Sequence, residues 1–135
     1  MKTLLLASLV LTFNCYSQKA APRIFEEGVI SVGDYESHVD FSVGGDTLMF
    51  VKSNPDVSKW TICYSIKKNG KWSTPEVAPF SGQYMDADPY FTPDGKSLLF
   101  ISNRPLKEGN AAKDDMDLWK IEKTKSGWGQ GGEIE

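Results

Sequence analysis

Beyond residue 17, short apolar runs alternate with turn residues, and no stretch sustains the i, i+3, i+4, i+7 spacing of an amphipathic helix. Thr47-Leu48-Met49-Phe50-Val51, Trp60-Thr61-Ile62-Cys63-Tyr64-Ser65-Ile66, Ser97-Leu98-Leu99-Phe100-Ile101 and Asp117-Leu118-Trp119-Lys120-Ile121 read as strands. Gly44-Gly45-Asp46, Asn69-Gly70 and Pro93-Asp94-Gly95 sit between such runs, where hairpins need residues with positive or preset φ. Leu98-Leu99-Phe100-Ile101 is apolar on both faces, which suits a sheet covered on both sides rather than one with a wet face. The pattern predicts an all-β protein.

The same pattern occurs twice. HVDFSVGGDTLMFVKSN, from His38, aligns with DPYFTPDGKSLLFISNR, from Asp88: Phe41 falls on Phe91, Gly45 on Gly95, Leu48 on Leu98 and Phe50 on Phe100. Further on the offset grows, so that Ile62 matches Leu118 and Trp72 matches Trp128, with the extra residues in the polar stretch Lys107 to Asp115. Each unit holds four candidate strands; in the second they are Asp88–Thr92, Lys96–Asn103, Met116–Lys123 and a truncated one beginning near Trp128. A four-stranded antiparallel meander at this period suits a propeller blade, so the expected fold is a partial β-propeller of about two four-stranded antiparallel blades. A sandwich of two similar sheets is the rival.

DADPYFTPDGKSLLFISNRP followed by DMDLWKIEKTKSGWGQ resembles the WD40-like repeat of TolB-type β-propeller proteins, whose pattern runs Asp-x-x-Pro-x-Phe-Ser-Pro-Asp-Gly-Lys, Leu-x-Phe-x-Ser-x-Arg, Asp-Leu-Tyr and Gly-Trp. The second unit departs from it at Thr92 and Trp119; the first is a degraded copy, with Val39 for Pro, Val43-Gly44 for Pro-Asp and Thr61 for the later Asp. The resemblance gives Pro89, Phe91, Thr92, Pro93, Asp94, Gly95, Asn103, Arg104, Asp117, Trp72 and Trp128 structural roles. Thr92-Pro93-Asp94-Gly95 is expected to make a tight turn, Arg104 to anchor the loop after it, and the two tryptophans to cover the sides of the outer strands. It divides the chain into a first repeat (34–80) and a second repeat (81–135), incomplete at its C-terminus, after an N-terminal segment (18–33) in which Arg23 to Val32 is expected to be a ring-closing strand. Closed propellers use about 4–8 blades, so two repeats imply a fragment, or a shortened gene product, of a longer propeller. Its exposed blade edges would favour self-association.

Residues 1–17 read as a signal peptide: Lys2 forms the positive n-region, Leu4 to Phe13 the apolar core and Cys15-Tyr16-Ser17 the cleavage pattern. The chain is therefore expected to be exported, to the periplasm, the cell envelope or the medium. Asn14 and Thr12 fit poorly with a lipid anchor on Cys15. No segment of the mature chain approaches the roughly 20 apolar residues that span a bilayer. A formal net charge of −3 without a basic stripe argues against nucleic acid. Removal of the signal leaves Cys63 unpaired, which excludes a disulfide framework, and reads it as a small apolar residue of a buried strand. His38 is the single histidine, which excludes a multi-histidine metal cage, and no cofactor motif is present.

Asp86 and Asp88, with His38 and Asp40 at corresponding places in the first unit, are the candidate ligand-binding residues. Placed before the innermost strand, they would form a polar rim at a channel mouth, able to hold a cation or a basic peptide. The competing reading leaves Asp88 as a backbone hydrogen-bond acceptor before Pro89. Asp114-Asp115-Met116-Asp117 lacks the spaced oxygens and glycine of a calcium loop. There is no Gly-x-Ser-x-Gly elbow, and nothing around His38 forms a Ser-His-Asp motif. The expected function is a non-catalytic binding scaffold for a protein or a cell-envelope polymer. The alternative is a fragment of a longer propeller-containing hydrolase that processes glycans or peptides.

Overall fold

Each alternating run forms a strand, and the turn residues close hairpins between them. The computed structural model describes residues 21–107, 109–125, 127–129 and 132–133; the signal sequence and Cys15 lie outside them. The strands are β1 (Tyr35–Phe41), β2 (Thr47–Ser53), β3 (Trp60–Lys68), β4 (Lys71–Trp72), β5 (Glu76–Val77), β6 (Asp86–Phe91), β7 (Ser97–Ser102), β8 (Asp117–Thr124), β9 (Gly127–Trp128) and β10 (Gly132–Glu133). They form two antiparallel sheets: β1-β2-β3 with β4 and β5 both on β3, and β6-β7-β8 with β9 and β10 both on β8. No helix occurs among the described residues.

The two sheets repeat one another residue by residue. Phe50 pairs with Cys63 and Val51 with Ile62 in the first; Phe100 pairs with Trp119 and Ile101 with Leu118 in the second. Lys67 faces Trp72 as Lys123 faces Trp128, and Tyr64 faces Glu76 as Lys120 faces Gly132. β10 thus takes in the second unit the place that β5 has in the first, so the outer strand there extends past Trp128 in two short pieces. The turns match too. Gly45 and Gly95 sit at φ 67° and 68°, where a side chain would be strained, and each donates its N–H to the carbonyl three residues earlier. In the second turn the Thr92 hydroxyl donates to Asp94 at 2.6 Å, which holds that carboxyl below the ordinary carboxylate range.

The sheets pack unlike face to unlike face. Met49, Val51 and Ile62 of the first meet Leu98, Phe100, Trp119 and Ile121 of the second in one buried cluster. The opposite face of the first sheet carries Leu48, Phe50, Cys63 and Trp72. Burial raises the Cys63 thiol pKa. Trp72 is buried in the second of these clusters, and Trp128, half-buried, packs against the first. Each sits 6.0 Å from the equivalent ring, Phe41 or Phe91.

The segment Arg23 to Val32 is a tight turn instead of the expected strand. Glu26 (φ 44°) and Gly28 (φ 79°) curl it, and the Ile30 amide donates to the Glu26 carbonyl. On that face, where the described residues place no second sheet, Ile30 and Phe25 fold down to cover Leu48, Phe50 and Trp72. Phe25 stands 6.1 Å from Trp72, much as Phe80 stands 6.4 Å from Trp128.

Asp86 begins β6 rather than preceding it, and it is completely buried. Arg104 donates to its Oδ1 at 2.7 Å and Ser81 to its Oδ2 at 2.7 Å. The same guanidinium donates to the Phe80 carbonyl and the Ser102 hydroxyl and lies over the Phe100 and Trp119 rings. Arg104 therefore ties the segment before β6 to the core. The loop after it is held by Asn103, which donates to the Lys113 carbonyl and accepts from the Met85 amide. Asp117 opens β8, opposite Ser102, and meets the Lys113 ammonium. Removing one partner of a buried ion pair strands the other charge. Asp86→Ala should therefore lower stability by about 3–5 kcal/mol in urea unfolding, whereas Asp88→Asn, which keeps a residue tolerant of its left-handed backbone, should stay within about 0.5 kcal/mol; equal losses would refute the assignment.

Candidate functional site

Asp86 is remote from solvent, but the other three predicted rim residues converge. In β1 two residues, His38 and Val39, stand opposite one residue of β2, and in β6 Asp88 and Pro89 stand opposite one residue of β7. These are equivalent β-bulges, and the first bulged residue in each is left-handed: His38 at φ 49° and Asp88 at φ 53°. Asp88 also precedes a proline, which narrows its backbone freedom further. The bulges aim both side chains outward, and His38 Nε2 comes within 3.4 Å of Asp88 Oδ1. Their side chains are 58% and 50% exposed.

Asp40 works beside them as a clasp. Its Oδ1 accepts the amide of Phe41 at 2.9 Å and its Oδ2 the equivalent amide of Phe91 at 2.6 Å, so one carboxylate joins the innermost strands of both units. His38 and Asp88 therefore face solvent side by side, while Asp40 is committed to the backbone. Among the described residues no group of three or more histidine, cysteine, aspartate or glutamate side chains is arranged to hold a metal ion.

Between the bulges opens a cleft of about 160 Å³. Val51, Ala87 and Ile101 line it with apolar surface, Trp60 adds an aromatic ring, and Ser37, Ser53, His38 and Asp88 supply polar groups. Val57 lines it as well, at φ 58°, a conformation that is an outlier for a β-branched residue. Three of the five non-glycine residues with positive φ among the described residues therefore lie on this one cleft. Such strain persists only where its surroundings enforce it and concentrates at functional sites. Sequence reasoning missed Ser37, Val57 and Trp60. Trp60 reads simply as the start of a strand, and the one local signal near Val57 is the Pro55-Asp56 turn.

Ser37 completes a relay. Its Oγ lies 2.8 Å from His38 Nδ1, and a neutral imidazole protonated on Nε2 would accept from Ser37 and donate to Asp88. The serine, histidine and aspartate that showed no motif in the sequence are thus in line. Compared with known proteins, the chain matches no family model, no curated protein and no solved structure.

Val57→Gly removes the left-handed penalty at an exposed position and should raise stability by roughly 1 kcal/mol. An unchanged or lowered urea midpoint would show that this backbone is unstrained.

Proposed function

We propose that this chain is an exported, non-catalytic segment of a TolB-type β-propeller, serving as a scaffold that binds a protein or a cell-envelope polymer at the cleft between its two bulges. The observation that carries this is the stacking of unlike faces by two units that agree down to the bulge. A closed sandwich of related sheets buries like faces and ends there, whereas unlike-face stacking can be continued by another unit. The second sheet supports such continuation. Ile62, in the first unit, is fully buried, while its equivalent Leu118 is 47% exposed beside half-buried Leu99. A second copy of the chain, meeting it through its own Leu118 face, is the partner proposed for that face, since Phe25 and Ile30 cover the first sheet's opposite face.

A photo-reactive amino acid in place of Ser37, in cells that export the chain, should yield an adduct with another protein or an envelope polymer. The same group in place of Leu118 should yield an adduct of two copies of the chain. Absence of any adduct at position 37 would overturn the scaffold assignment.

The Ser37–His38–Asp88 relay favours the hydrolase alternative as a second reading, with Ser37 as nucleophile and His38 as base. Against it stand the exposure of His38 and Asp88 and a long 3.4 Å contact between them. A fluorophosphonate should leave Ser37 unlabelled, as detected by peptide mass. A stoichiometric adduct that disappears in His38→Ala would establish the hydrolase instead.

A further inference from the structure

From the lining of the bulge cleft we infer that it receives the side chain of an arginine or lysine from a peptide; the inference rests on the scaffold assignment and names its ligand. Asp88 supplies the counter-charge. His38 approaches its Oδ1, no hydrogen bond to its Oδ2 is made among the described residues, and the half-exposed Asp88 side chain lines the cleft. A cation there forms a charge-assisted hydrogen bond, and a guanidinium can lie flat against an aromatic face. Trp60 supplies the indole, best of the aromatic rings for a cation.

The remaining wall suits the stem of the same side chain. Val51 and Ala87 are buried at the base and Ile101 is half-buried, so methylene groups passing over them leave water while the charged head stays at the mouth. The size decides between side chain and larger ligand. About 160 Å³ falls well below the roughly 300–1,000 Å³ of pockets that enclose whole small molecules. A single long side chain fits that space better than a saccharide unit with its neighbours. The rigid, strained bulges hold Asp88 in place before the ligand arrives, which lowers the ordering cost of binding.

The test is amide and indole chemical-shift mapping of the full chain with the blocked tripeptide Gly-Arg-Gly, its neutral citrulline counterpart and N-acetylglucosamine. The arginine peptide should move the Trp60 indole and the amides of His38, Ala87 and Asp88, and the citrulline peptide should bind about tenfold more weakly. Asp88→Asn, which keeps a residue tolerant of the left-handed backbone, should weaken the arginine peptide at least about fivefold with the remaining shifts unchanged. Trp60→Leu should weaken it through a different wall. Equal binding of the citrulline peptide, indifference to Asp88→Asn, shifts centred elsewhere or preferential binding of the sugar would each overturn the proposal. A failed titration alongside a retained photo-adduct at position 37 would sink the ligand class alone; loss of both would sink the scaffold too.

Discussion

The fold depends on the burial of the inner face of the second sheet against the outer face of the first. β2 and β7 are apolar on both sides, so neither sheet can be left with two wet faces, and sheet-on-sheet contact is the main way to remove that surface from water. Met49, Val51 and Ile62 meet Leu98, Phe100 and Ile121 with essentially no exposure on either side. Everything else follows from satisfying the edges of that contact. Arg104 and Asp86 neutralise each other where the connecting segment passes under the core, and Asp40 caps the amide that β6 would otherwise present unpaired.

Because the packing joins unlike faces, it leaves two unequal ends. At one end the curl of Phe25 and Ile30 covers the apolar face, with Phe25 supplying the ring that Phe80 supplies in the second unit. At the other end Leu118 and Tyr90 stay exposed. The bulged strands lie between these ends, at an edge where neither sheet has another strand to pair with among the described residues. Their extra residues turn outward and strain His38 and Asp88 into left-handed geometry. The cleft is a product of two repeats placed side by side, since Ser37, His38 and Trp60 come from one and Ala87, Asp88 and Ile101 from the other.

Much of the fold was legible in the sequence because strand pairing follows local pattern. The alignment of Phe41 with Phe91 and of Ile62 with Leu118 reappears as matching registers, since turn residues such as Gly45 and Gly95 set where each hairpin closes. The motif Thr92-Pro93-Asp94-Gly95 reads directly as the turn it forms. The N-terminal segment was misread because its apolar residues, Ile24, Phe25, Val29 and Ile30, suit a strand as well as a collapsed turn. What chose between them was the open face waiting above Phe50.

The chain by itself thus determined the all-β class, the twofold repeat and the register within each hairpin, since alternation and turn chemistry act between near neighbours. Only the tertiary structure decided the fates of the two aspartates in Asp86-Ala87-Asp88. One faces a guanidinium in the core and the other faces solvent, because the left-handed backbone of the bulged Asp88 turns its side chain outward. It alone brought Trp60 and Val57 to Asp88, since that meeting depends on how two sheets cross rather than on the residues beside each one.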